Sequence, residues 1–167
     1  MKRIFLLVLL FFGLIFSLSG CSMFNQGPDI QNWQPVTSPD GTEMVFSTKV
    51  DGNFQLIRFD PETKERKQIT QNDHDDWGPD WEPEGERIVF VSKRNDNTDI
   101  YAVDVDGSEE TRLTTNSSQD VNPRWSGTSK VVFNSDRTGS WEIFTISLPG
   151  KSINQVTSSS GEEGEEG

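Results

Sequence analysis

The chain is poor in the residues on which most catalytic and redox chemistry depends: 167 residues include one cysteine, one histidine and one tyrosine. A single cysteine, Cys21, excludes an internal disulfide framework. A single histidine, His74, excludes a metal centre built from several imidazoles. No G-x-S-x-G stretch occurs and no segment after residue 21 has helical periodicity, which excludes an α/β-hydrolase with a Ser-His-Asp triad. Positive charge is scarce as well, with 15 Lys and Arg against 27 Asp and Glu, and the formal net charge of −12 becomes −14 once Lys2 and Arg3 are removed. Such a surface repels phosphate backbones and anionic headgroups, so no nucleic-acid partner and no polybasic membrane patch are expected. The pattern calls for no cofactor and no resident metal, and the chain is read as non-catalytic.

The ends carry their own signals. Lys2 and Arg3 precede IFLLVLLFFGLIF, an apolar run too short for a comfortable membrane span, and LSGC follows, so residues 1–20 are read as an export signal. Leu18, Ser19, Gly20 and Cys21 resemble the lipobox of bacterial lipoproteins, in which the cysteine is lipidated and becomes the new N-terminus. That resemblance implies a palmitate-type lipid on Cys21 and a partner in the membrane itself. Several acyl chains anchor stably, because each buried methylene contributes about 0.8 kcal/mol. Ser22 matches the lipoprotein pattern sent to the periplasmic face of an outer membrane. In a cell with one membrane the protein would sit on the outer face of the plasma membrane. Residues 21–30 read as a tether, and 158–167, SSSGEEGEEG, as a disordered acidic tail with no apolar residue to offset chain entropy.

Between the ends the chain repeats itself. A shift of 44 residues brings Trp33 onto Trp77, Pro35 onto Pro79, Phe46 onto Phe90 and Ile69-Thr70 onto Leu113-Thr114. A second shift of 44 brings Pro79 onto Pro123 and Trp81 onto Trp125, and after Gly127 the spacing falls to 43, from Phe90 to Phe133 and Ile100 to Ile143. Three copies are predicted, 31–74, 75–118 and 119–157. Within the second, WGPDW, RIVFVS, DIYAVDV and TRLTT are short strands, parted by turn-forming EPEG, KRNDNT and DGSE. Strands such as RIVFVS are apolar on both faces, as in a sheet stacked between two others. The third copy lacks Pro-Asp-Gly and should have a shorter first hairpin. In its second hairpin, FNSDRTGSWEIF, one strand is expected to end on Phe133 and the next to start at Trp141.

These residues together are recognisable. SPDGTEMVFSTK with QIT, PDWEPEGERIVFVSKR with DIYAVDVDG and RLT, and PRWSGTSKVVFNSDRTG with WEIFTIS and QVT resemble the TolB-like (WD-like) β-propeller repeat. The resemblance covers residues 31–157. It implies an all-β fold of three four-stranded antiparallel blades, either a partial propeller or half of a six-bladed ring. An α/β domain like the one that precedes the propeller of TolB itself is not expected, and TolB's partners are not expected to transfer. Propellers close with four to eight blades, so three should leave two apolar sheet faces open, and self-association into a ring is expected.

Such an architecture implies docking through loops at one end of the channel, with a protein of the cell envelope as partner. Asp75, Asp76 and Asp120, from the blade-opening loops, are the candidate binding residues. Arg94 and Arg137 read as structural partners of neighbouring carboxylates, and Trp81 and Trp125 as packing anchors between blades or, alternatively, sugar-stacking platforms. The stretch NDHDDWGPD places Asp73, Asp75, Asp76 and Asp80 around His74, but without the spaced D-x-D-x-D-G of a calcium loop. Two alternatives stay open: a cation- or glycan-binding module, and a remnant of a longer propeller protein or hydrolase.

Overall fold

The computed structural model describes residues 32–159. The expectations for the signal, for Cys21 and its tether, and for the tail from residue 160 on lie outside the described residues. Every regular element among the described residues is a strand. The first sheet holds β1 (Asn32–Thr37), β2 (Met44–Val50), β3 (Asn53–Phe59) and β4 (Arg66–Gln68). The second holds β5 (Asp75–Trp81), β6 (Arg87–Arg94), β7 (Asn97–Asp104) and β8 (Thr111–Arg112), and the third β9 (Asp120–Trp125), β10 (Lys130–Ser135), β11 (Glu142–Ser147) and β12 (Ser152–Gln155). Each is an antiparallel meander in chain order. The first strands meet across the middle, β1 against β5 and β5 against β9, so the three sheets are blades of an open propeller arc with these strands innermost.

Local chemistry explains the recurring shape. Each innermost strand is interrupted by a bulge, between Trp33 and Val36, Trp77 and Asp80, and Val121 and Arg124. At each bulge a residue with positive φ, Gln34, Gly78 or Asn122, precedes a proline. Proline has no N–H to give the ladder, so within a sheet it settles at such interruptions. The second and third strands of blades 1 and 2 are joined by two left-handed residues, Asp51 and Gly52 in one and Asn95 and Asp96 in the other. These residue types tolerate that conformation, whose twist matches the flanking strands.

KRNDNT is therefore less turn than expected: β6 runs through Arg94 and β7 resumes at Asn97. In the third blade β10 likewise passes Phe133 to end at Ser135, and β11 starts at Glu142, one residue beyond Trp141. The opening hairpins of blades 1 and 2 close through Ser38 N–H to Glu43 O at 2.8 Å and Glu82 N–H to Arg87 O at 2.9 Å. The third closes one residue sooner, Ser126 N–H to Lys130 O at 2.8 Å, where Pro-Asp-Gly is missing.

The core lies in two layers. Between blades 1 and 2 it contains Val45, Leu56, Ile69, Trp81, Ile88, Phe90, Tyr101 and Val103. Between blades 2 and 3 it contains Val89, Val91, Ile100, Ala102, Leu113, Val131, Phe133, Phe144 and Ile146. Alternate residues of β6 and β7 thus serve opposite layers, which is why those strands read as apolar on both faces. Burying a side chain such as Phe90 contributes about 1.5–3 kcal/mol.

The two ends of the row differ, contrary to the expectation of two open apolar faces. Blade 3 exposes Trp141, Ile143 and Val156 to 55%, 37% and 58%. Their counterparts at the inner junctions, Leu56 and Ile100 for Ile143 and Ile69 and Leu113 for Val156, are buried. At the other end Phe46 and Ile57 are already buried, and the Arg66 guanidinium lies 5.9 and 5.5 Å from the centres of the Phe46 and Phe59 rings.

Candidate functional site

The loops that open each blade are held by bonds that the repeat reproduces. Thr70, Thr114 and Thr157 each accept, through Oγ1, the backbone N–H of Leu56, Ile100 or Ile143 at 3.0, 3.0 and 2.9 Å. The residue before each of those donors then ties down the connection to come. Gln55 Nε2 donates to His74 O at 2.8 Å, and Asn72 N–H donates to Gln55 Oε1 at 3.2 Å. Asp99 receives Arg112 Nη2 at 2.6 Å, and Glu142 receives Thr157 Oγ1 at 2.5 Å and Ser159 N–H at 2.6 Å. The Ser159 hydroxyl foremost, with Thr157 and the Ser159 N–H, pulls the Glu142 carboxyl down to about 2.

The three candidate aspartates have different situations. Asp75 is half-buried, and its Oδ1 accepts the Phe54 N–H at 2.8 Å. Asp76 and Asp120 are fully buried, so neither reaches a partner's surface from its place in the fold. Asp120 is gripped by Arg137, whose Nη2 donates to its two oxygens at 2.9 and 3.1 Å. Arg137 also donates from Nε to Ser135 Oγ at 2.9 Å and lies 4.7 Å from the Phe144 ring centre.

Arg94 occupies the equivalent place in blade 2 but a different partnership. Its Nε donates to Ser92 Oγ at 2.9 Å as the repeat requires, while Nη2 turns to Glu110 at 2.7 Å and the guanidinium covers Tyr101 at 4.1 Å. Asp76, the counterpart of Asp120, is left with Asn72 Nδ2 on Oδ2 at 2.8 Å and with no hydrogen bond to Oδ1. Burial pushes its pKa up, tempered by the nearby Ser92 hydroxyl, Asn72 amide and Thr70 hydroxyl and by the Arg94 charge.

The acidic stretch around His74 does not converge. His74 Nε2 is 3.2 Å from Asp73, Asp75 serves Phe54, Asp76 serves Asn72, and Asp80 Oδ2 accepts the Trp125 N–H at 2.8 Å from the next blade. Among the described residues no three carboxylates, imidazoles or thiolates come together in a way that would hold a metal ion. Trp81 is buried between blades and donates its indole N–H to Val36 O at 3.1 Å. Trp125 packs half-buried against the second layer. Both act as inter-blade anchors, so neither indole is presented as a platform for sugar.

A feature that the sequence argument did not single out lies beside Asp75. Trp33, Phe54 and Trp77, with Asp75 and Lys93, line a recess of about 260 Å³ at the junction of blades 1 and 2. Trp33 is 53% exposed, and its ring centre lies 6.0 Å from that of Phe54. The available signal was the 44-residue shift that superposes Trp33 on Trp77; Phe54 joins them only through the hairpin fold.

Comparison with known proteins places these observations. The sequence profile of the TolB beta propeller domain matches residues 34–165. Among solved structures, a putative TolB from Agrobacterium tumefaciens is 26% identical with a TM-score of 0.66, over 75% of this chain and 50% of that one. TolB from Acinetobacter baumannii is 24% identical with a TM-score of 0.69, over 77% and 32%. A puromycin-hydrolyzing peptidase from Mycobacterium tuberculosis is 19% identical with a TM-score of 0.67, over 76% and 22%, a likeness of fold alone. The chain spans half or less of the length of these structures. No curated protein matches it.

Proposed function

The chain belongs to the TolB beta propeller domain family, and from that premise we propose that it is a membrane-anchored, non-catalytic lipoprotein whose blades form a protein-docking platform in the cell envelope. The observation that carries the interaction reading is the outer face of blade 3. Ile143 and Val156 are exposed where the repeat elsewhere buries their counterparts against a following blade, and Trp141 is exposed as well. A propeller blade cannot bury both faces without neighbours, so this face is built for another sheet.

A second copy of the chain is the occupant we propose, since it supplies further blades of the same kind. Anchoring would come from lipid on Cys21. Metabolic labelling with a palmitate analogue tests the anchor: label and membrane association are both expected and both lost in Cys21→Ser. Light scattering across a dilution series of the Cys21→Ser protein without residues 1–20 tests association. The expected result is an assembly that Ile143→Glu dissolves. A well-folded monomer at every concentration would refute it.

A further inference from the structure

We infer that two copies of the chain meet symmetrically, the outer face of blade 3 on one against the same face on the other, with blade 1 outside the contact. The inference rests on the association reading above and names the surfaces that meet. The rival is a six-bladed ring, in which blade 3 of each copy would stack on blade 1 of its partner.

Both inner junctions are fastened by the tryptophan that ends the innermost strand of the following blade. Trp81 donates its indole N–H to Val36 O at 3.1 Å, and Trp125 donates its backbone N–H to Asp80 Oδ2 at 2.8 Å. At a junction between blade 3 and a second copy's blade 1, the residues in those places are Arg124 and Thr37. That joint has no indole donor and no carboxylate acceptor. Blade 1 also needs no cover on that side: Phe46 and Ile57 are buried, and Arg66 lies across Phe46 and Phe59.

Blade 3 is different. Cross-strand pairing sets Asn134 beside Ile143 on the outer face, and the Val156 N–H donates to Ile143 O at 2.8 Å. One period earlier those places hold Val91, Ile100 and Leu113, all buried against blade 3. Trp141 corresponds to Thr98, which is buried and donates to Gln119 of the next blade at 2.5 Å. None of these four blade 3 residues is charged, in a chain whose formal net charge of −12 keeps copies apart elsewhere. The cations of this face, Arg124 opposite Val132 and Lys130 opposite Ser147, lie towards the other end of the strands, Ser147 being about 14 Å from Ile143 by strand rise.

A two-fold axis across the strands at the level of Ile143 lays the apolar ends over each other and turns the cationic ends apart. Asn134 then faces its own symmetry mate, and a side-chain amide both donates and accepts, so the patch complements itself. Three exposed apolar side chains make far less than the roughly 800 Å² per partner of a standard interface, so the pair is weak in solution. Lipid on Cys21 would hold copies on one membrane and raise their effective concentration.

Because Cys21 is the one cysteine, the Cys21→Ser protein without residues 1–20 accepts single reporter cysteines, linked by a short bis-maleimide. Asn134→Cys is expected to link to itself about tenfold faster than Glu62→Cys, an exposed turn residue of blade 1 that reports random collision. Adding Ile143→Glu should abolish that advantage with the circular-dichroism spectrum retained. A mixture of Thr37→Cys and Arg124→Cys should link no faster than the Glu62→Cys control, whereas a ring would join them. Fast linking in that mixture, with a dimeric mass by light scattering, would overturn this pairing and leave association through blade 3 standing. A dimer in which Asn134→Cys links at the control rate would do the same, and a monomer at every concentration would remove both.

Discussion

Replacing Arg137 by methionine tests how the blade-opening loops are held. Arg137 and Asp120 form an ion pair in which the aspartate side chain is wholly buried and the arginine 16% exposed. Removing one member of a buried pair strands the other charge, at a cost of about 3–5 kcal/mol. The equivalent Arg94→Met removes a pair whose side chains are 23% and 32% exposed, worth at most about 1 kcal/mol, together with the stacking on Tyr101, worth about 0.5–2 kcal/mol. Urea unfolding of the Cys21→Ser protein without residues 1–20 should therefore show a markedly lower midpoint for Arg137→Met than for Arg94→Met, at a similar slope. Adding Asp120→Asn to Arg137→Met should recover part of the loss, because the stranded charge is then gone. Equal losses at the two arginines, or no rescue, would refute the argument that burial of the aspartate decides the difference.

Other perturbations follow from the same comparisons between copies. The folded-state pKa of Asp76 lies above its unfolded value, so its contribution is full below the unfolded pKa and is lost as pH rises through the folded one. Asp76→Asn should accordingly stabilise the protein near about pH 7, with the gain fading towards about pH 3, as thermal melts across pH would read. Gly107 and Gly139 share a φ of +90°, but a Cβ at Gly107 would stand 2.8 Å from Ile69 O while one at Gly139 meets nothing within 4 Å. Both alanine variants carry the left-handed penalty of about 1–2 kcal/mol, and only Gly107→Ala should lose more than that in urea unfolding. Ser47 has a buried hydroxyl with no hydrogen bond, so Ser47→Ala should raise stability by about 1 kcal/mol, measured the same way.

The repeat made much of this structure legible. Matching Phe46, Phe90 and Phe133, and the Ile-Thr, Leu-Thr and Val-Thr pairs, located the strands, because a buried aromatic and a threonine hydroxyl lock recur once per blade. Runs such as RIVFVS announced burial on both faces, and β6 indeed serves two core layers. Strand ends were less legible: Asn95 and Asp96 read as the middle of a six-residue turn, yet two left-handed residues suffice when the flanking side chains still find cross-strand partners.

Site residues were the hardest to read. Asp76 and Asp120 looked like loop acids open to a partner, and both are buried. Burial depends on what the adjacent strands and loops bring over a residue, and a linear spacing does not contain that. The recess had half a signal in the superposed Trp33 and Trp77, while Phe54, some twenty residues from either, arrives only by hairpin pairing.

By itself, then, the sequence determined the repeat, the all-β character, the number of blades and the acidic surface, since each follows from residue type and period. Tertiary structure alone decided which of two equivalent arginines grips an aspartate, which end of the row exposes its apolar face, and where three aromatic rings meet. Those outcomes depend on which neighbour covers each position, and identical local patterns acquire different neighbours at the middle and at the ends of a row of blades.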